Sequence, residues 1–410
     1  MSPLRLTAIA ASACLIVLAS ACSSDDNSDS ASSDTTTTTD GTTGTTAPPE
    51  QFTGSVDDFY RVPDPLPAGQ PGQLIRVQPV GSMDGSTTVR VMYHSRDAEE
   101  QDRAVTGIIT YPTAPAPDGG WPVVSWSHGT TGLASKCALS RDGGAAPAFG
   151  VQGVAVATDY IGLGPIGEIH PYLSKPSEGN AAIDAVRAAR NLPDAHAGTR
   201  WMSLGHSQGG HGALAAAELS ADYAPELELV GTVAFAPGSD FTKTFGGIDD
   251  IVARVTGAMA LYGSVGEHPD IDPADYVGPQ LAAAADVIKN ECLDAIIGAV
   301  AGIPAETFYA HSPFETEPAK SLLLANDVGD VKVDAPLLLV SGTADDRVVI
   351  DRVRSLFSRL CAAGQVTEFV VVDGANHGDI VPRTSAQAES WLAARLAGEP
   401  PADSCQNGGS

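Results

Sequence analysis

The sequence predicts an α/β fold, a mostly parallel sheet flanked by helices with a helical cap insertion. Three observations carry this. Short, nearly continuous apolar runs recur at residues 122–126, 153–157, 201–204, 230–235, 336–340 and 367–372. Strands without polar alternation are buried on both faces, as in a parallel sheet under helices. Between the runs lie segments in helical phase at 180–190, 210–219, 349–363 and 384–396. Finally, nearly a hundred residues between Pro237 and Asp334 hold no strand pattern, only apolar helical stretches at 251–262 and 281–297 punctuated by Pro and Gly.

From the N-terminus, Arg5 and an apolar stretch over 6–21 read as a signal peptide, too short to span a bilayer comfortably. It ends Leu18-Ala19-Ser20-Ala21-Cys22, which resembles a bacterial lipobox with Ala19 where Leu is usual. Residues 1–21 are thus expected to be removed and Cys22 to carry lipid, holding the chain at the outer face of the cell membrane. Ordinary secretion with cleavage nearby is the alternative. Residues 22–54 are almost all Ser, Thr, Asp, Asn and Gly. They lack apolar area to offset ordering entropy and read as a disordered tether with a reach of about 30 Å.

The organised part then divides into 55–240 (first part of the core), 241–333 (helical cap) and 334–410 (second part of the core). Runs at 74–80, 89–94 and 107–111 are rich in Val, Ile and Thr and predict early antiparallel strands. The strand–helix units that follow predict a doubly wound sheet, and ligands of such sheets bind at the carboxyl edge, where the cap is expected to lie.

The formal net charge of the 410-residue chain is −27. That argues against a nucleic-acid partner, which needs a basic surface, and against docking on anionic headgroups through a basic patch. Of six cysteines, Cys14 leaves with the signal and Cys22 takes the lipid. Cys137, Cys292, Cys361 and Cys405 remain for two disulfides in an oxidising compartment, with three connectivities open. No CxxC or Cys/His cluster implies a metal, and no organic cofactor is implied.

The strongest chemical signal is Gly205-His206-Ser207-Gln208-Gly209, placed between a strand and a helix. A tight strand-to-helix turn presents a serine sharply to a base, and only Gly fits two residues to either side. The base and its orienting acid should follow in the order acid, then His, on loops after strands. The run 336–340 leads into Gly342-Thr343-Ala344-Asp345-Asp346-Arg347-Val348, and 367–372 into Asp373-Gly374-Ala375-Asn376-His377-Gly378. Asp345 is the expected acid, with Asp346 as rival, and His377 the expected base. For the oxyanion hole, Gln208 supplies one main-chain N–H. The loop Ser127-His128-Gly129-Thr130-Thr131-Gly132 supplies the other, from Thr130 or else Thr131. His128, His206 and His211 are assigned structural parts. Gly162-Leu163-Gly164-Pro165-Ile166-Gly167 matches a dinucleotide pattern, but Pro165 forbids the helix such a site requires. It is expected to be a loop near the mouth of the site.

These motifs, with Ala157-Thr158-Asp159-Tyr160-Ile161-Gly162-Leu163-Gly164 and His170-Pro171-Tyr172, resemble the secretory lipase family of α/β-hydrolases over about residues 55–400. The resemblance implies a helical cap and hydrolysis of carboxylic esters, with a small-molecule ester or lipid as substrate. The residues imply an acyl-enzyme on Ser207, with acyl transfer to an alcohol and hydrolysis of polyester or cutin-like material as alternatives. Pairing by neighbourhood gives Cys137–Cys292, across cap and core, and Cys361–Cys405, and the resemblance points the same way.

Overall fold

The computed structural model describes residues 48–241 and 251–407. The signal segment, Cys22 and most of the expected tether lie outside them. Ten strands form one sheet: β1 (Glu50–Gln51), β2 (Leu74–Met83), β3 (Ser86–Arg96), β4 (Asp102–Pro112), β5 (Trp121–Ser127), β6 (Val154–Thr158), β7 (Ala197–His206), β8 (Glu228–Phe235), β9 (Leu337–Gly342) and β10 (Thr367–Val372). Their order is β1-β2-β3-β4-β6-β5-β7-β8-β9-β10. The pairs β2–β3, β3–β4 and β4–β6 are antiparallel, and all pairs from β6–β5 to β9–β10 are parallel. The early antiparallel and later parallel strands are those the apolar runs predicted, lengthened by one or more residues at one or both ends in most cases.

Helices cover the sheet: α1 (Val56–Phe59), α2 (Lys175–Arg190) and α3 (Gln208–Tyr223). The insertion carries α4 (Ile251–Ser264), α5 (Pro279–Ala283), α6 (Ala285–Asn290), α7 (Leu293–Val300), α8 (Ala305–Phe308) and α9 (Ala319–Ala325). Two helices close the fold, α10 (Ile350–Ala362) and α11 (Ile380–Leu396). All six residues of β9 are buried, which is why its sequence is apolar except for the small Ser341 near its carboxyl end. One core cluster joins the Ala-rich face of α2 to Val123, Val156 and Trp201. Another joins Leu204, Val233 and Leu338 to Leu356 of α10 and to Trp391 and Leu392 of α11. Each such large buried side chain contributes about 1.5–3 kcal/mol. Among the described residues no helix is long and apolar enough to cross a membrane.

Between β8 and β9 the described residues contain helices and no named strand. Their apolar cluster, with Phe241, Met259, Ile288, Ile296 and Phe308, is continuous with Leu133, Tyr172 and Leu173 of the neighbouring body. The insertion is also stitched down by polar contacts. Glu267 is buried and accepts from the Ser174 hydroxyl at 2.8 Å and from the Ser177 hydroxyl. The Lys175 N–H donates to Asn326 Oδ1 at 2.7 Å.

Two expectations change. The helix expected over 281–297 is broken into three pieces. Cys292 between them is extended (φ −86°, ψ 165°), pairs as an antiparallel bridge with Gly132, and is bonded to Cys137. A covalent and backbone tether at that point is incompatible with continuous helix. The last residues assigned to the tether are ordered otherwise, because Glu50–Gln51 pair in parallel with Arg76–Val77. A two-residue strand has no periodicity to reveal it. The second disulfide joins Cys361, on α10, to Cys405.

Candidate active site

Strand β7 ends at His206 and α3 begins at Gln208, which leaves Ser207 alone in the turn. Its φ is 61° and ψ −120°, a conformation an L-residue holds only when its surroundings enforce it. The enforcing contacts are backbone. Ser207 N–H donates to the Phe235 carbonyl at 2.9 Å, and its own carbonyl accepts from Gly238 N–H at 3.0 Å. A Cβ on Gly205 would collide with the Gly209 carbonyl, and one on Gly209 with the Ser127 carbonyl. Those collisions are the reason both positions are glycine.

The loops after β9 and β10 are knitted together by a bond from Ala344 N–H to the Ala375 carbonyl at 3.0 Å. This brings Asp345 to His377, with Asp345 Oδ2 2.8 Å from His377 Nδ1. Asp345 Oδ1 accepts from the N–H groups of Arg347 and Val348, each at 2.9 Å. The Gly342-to-Val348 spacing is therefore a carboxylate-holding turn. Burial opposes ionisation of Asp345, but the bond from His377 and the two amides carry its pKa below the usual value. The rival Asp346 is exposed and makes no such contact with His377.

Ser207 and His377 line one cavity of about 270 Å³, together with Gly129, Thr130 and Gln208. A Cβ on Gly129 would sit 3.7 Å from Ser207 Cβ, so the 128–132 loop lies directly against the serine turn. Thr130 Oγ1 is 2.8 Å from the Tyr172 hydroxyl, while the Thr131 carbonyl accepts from Leu293 N–H of the insertion at 2.8 Å. Gln208 opens α3, so its main-chain N–H belongs to the first turn, which has no intrahelical acceptor. The remaining wall is mostly apolar, with Phe241, Val252, Val255, Leu293 and Ile297, and carries Thr256, Arg347 and Arg352 as its polar members. The 162–167 glycine loop does not line the cavity. Its continuation, Tyr172 and Leu173, does. Gly164 instead lies so close to Thr106 that a Cβ would strike the Thr106 side chain.

Two histidines, His128 and His206, flank the site without joining the Asp345 pair. His128 is buried, its Nδ1 2.7 Å from the Gly129 carbonyl, and burial lowers its pKa. His206 donates from Nε2 to the His377 carbonyl at 3.0 Å, and its ring centre is 4.5 Å from that of His377. Burial, and the neighbouring His377, push His206 down to about 4. His206 is therefore neutral at neutral pH. The sign of its effect on stability follows. Above pH 6.5 neither state binds the proton. As the pH falls below that, the unfolded chain binds it and the folded one does not, until about pH 4. Unfolding free energy should therefore fall over this window. Urea denaturation of His206→Gln should show that dependence reduced by up to about 3 kcal/mol. An unchanged pH profile would contradict it.

Sequence reasoning missed Glu178, His170 and the second-layer part of His211, which lie behind the serine turn with no exposed surface. Only His170-Pro171-Tyr172 carried a signal, as part of the family motif. Glu178 in the first turn of α2 reads as an ordinary acid complementing a helix dipole.

A family model described as secretory lipase matches residues 147–404. The chain belongs to the secretory lipase family. It is 23% identical over 385 residues to a Mycobacterium tuberculosis protein named "Probable inactive lipase", covering 85% of this chain and 84% of that one. It is 22% identical over 400 residues to lipase 6 of Candida albicans, covering 86% and 83%. Among solved structures, Candida antarctica lipase A matches with a TM-score of 0.71 at 16% identity, over 86% of this chain and 89% of that one. That likeness shows the α/β-hydrolase fold.

Proposed function

We propose that this chain hydrolyses carboxylic esters through an acyl-enzyme on Ser207. The observation that carries the reading is the Asp345–His377 contact at 2.8 Å beside a serine held at positive φ in the same cavity. His377 Nδ1–H is held by Asp345, which leaves Nε2 to take the Ser207 proton as Oγ attacks the ester carbonyl. The main-chain N–H groups of Gln208 and Thr130 receive the developing alkoxide charge. His377 then protonates the leaving alcohol. A water molecule, deprotonated by the same imidazole, releases the acid. The apolar wall supports an acyl group as its occupant, and family membership supports the ester class. One relative bears a name that denies it activity, so the decisive test is direct. The purified protein should react stoichiometrically with a fluorophosphonate at Ser207 and hydrolyse p-nitrophenyl esters. Failure of both would end the proposal, and product analysis with added alcohol separates hydrolysis from acyl transfer.

From the apolar N-terminal stretch and the Leu18–Cys22 motif, we propose further that the enzyme lies outside the cell, tethered through lipid on Cys22. Cys22→Ser should move it from the membrane fraction to the medium with specific activity unchanged, since two acyl chains anchor stably at about 0.8 kcal/mol per buried methylene. Release of the unaltered protein into the medium would refute acylation.

A further inference from the structure

Behind the serine turn lies a buried polar cluster that none of the steps above uses. Glu178, His170 and His211 have no exposed surface, and Gln208 is 2% exposed. The Gln208 side-chain amide donates one hydrogen to Glu178 Oε1 at 2.7 Å and the other to His170 Nε2 at 2.8 Å. His170 can accept there because its Nδ1–H is spent on the Ile161 carbonyl at 2.8 Å. Glu178 Oε1 also accepts from Leu173 N–H at 3.0 Å.

Glu178 Oε2 faces His211 Nδ1 at 2.8 Å, while His211 Nε2 faces the Asn326 carbonyl at 2.8 Å. Both ring nitrogens of His211 thus meet acceptors, so both carry hydrogen and the ring is a cation. Burial disfavours that charge, but the bond to Glu178 and its charge raise the His211 pKa. Burial likewise opposes the Glu178 carboxylate, and the bond and charge of the His211 ring more than reverse this, holding its pKa below the usual value.

Burying an ion pair opposes folding unless its hydrogen bonds are complete, and here every polar atom of the pair has a partner. The peptide between Ser207 and Gln208 sits in a strained turn, and the Gln208 side chain is its handle. We propose that the Glu178–His211 ion pair is a positioning element, which through the Gln208 side chain fixes the main-chain N–H that receives the oxyanion. The inference rests on the reading of Gln208 as an oxyanion donor. Glu178 and His211 touch no substrate and act through Gln208. The pair also meets the end of the insertion at Asn326, whose Oδ1 accepts from Lys175 N–H, so the insertion's seating and the amide's orientation share one network.

The test uses Glu178→Gln, Gln208→Met and the double variant in the full chain. Glu178→Gln keeps the shape but places a donor where His211 and Gln208 both donate. Gln208→Met keeps volume and main-chain N–H while removing the handle. Turnover is measured per fluorophosphonate-titrated site, so unfolded protein does not count. Each single change should lower kcat about tenfold to a hundredfold with KM within about twofold, because the amide acts on the transition state. Affinity for a trifluoromethyl ketone, whose adduct bears the oxyanion, should fall by the same factor. The double variant should be no worse than the worse single one. Unchanged kcat per titrated site in Glu178→Gln would reduce the pair to a structural role and overturn the proposal. So would losses that multiply in the double variant, or ketone affinity that stays constant while kcat falls. A wild-type protein that neither labels nor hydrolyses esters would instead sink the underlying assignment of function.

Discussion

Ser207→Ala is expected to lower kcat by about five to six orders of magnitude, and His377→Ala by nearly as much. The double variant should be no worse, since a nucleophile without its base and a base without its nucleophile are equally idle. Asp345→Asn should cost about ten-thousandfold. The amide would present one hydrogen-bonding group of each kind to a carboxylate site built from two N–H donors and the His377 ring. Asp346→Asn should change kcat by less than about threefold, in keeping with an exposed surface substitution. Kinetics with a p-nitrophenyl ester decide this. If Asp346→Asn were the damaging change, the acid would have been assigned to the wrong neighbour.

The second large effect is on stability. Cys137→Ser with Cys292→Ser removes a cross-link closing 155 residues, worth about 5 kcal/mol in the chain-entropy model, and Cys361→Ser with Cys405→Ser one closing 44, worth about 4. The two losses are too close to separate by denaturation alone. Activity separates them. Cys292 bridges Gly132, and Leu293 holds the Thr131 carbonyl, so the first pair should lower kcat as well as the unfolding free energy. The second should lower only stability, because Cys405 lies against the Gln365 carbonyl near the start of β10. Equal kcat losses from both would show that the first bond does nothing local.

The sheet was legible because parallel strands such as β9, buried on both faces, read as nearly unbroken apolar runs. The serine turn was legible because two backbone collisions, at Gly205 and Gly209, can be avoided only by omitting a side chain. Asp345 was distinguishable from Asp346 because the turn that ends at Val348 has a fixed length. Elsewhere local pattern gives way to tertiary contact. Residues 281–297 are apolar in helical phase, yet a bridge to Gly132 and a bond to Cys137 draw Cys292 into extended backbone. Glu178 belongs to a helix that repeats Ala and Val like any packing helix. Its carboxylate is partnered by His211 and Gln208, 33 and 30 positions away, which no periodicity can report.

The antiparallel bridge between Gly132 and Cys292 bears on how such enzymes can be re-engineered. A long insertion on a scaffold shared with relatives invites exchange, as a way to replace one wall of the cavity. Here the insertion is not a separable module. It supplies the N–H that holds the Thr131 carbonyl, the sulfur bonded to Cys137, and the Asn326 carbonyl that faces His211. A chimera joined at residues 241 and 333 alone would import a foreign wall and lose three restraints on its own 128–137 loop and serine helix. A working graft has to carry its partners across the junction: the donor's 128–137 loop and its residues equivalent in place to Glu178 and His211, moved as one piece.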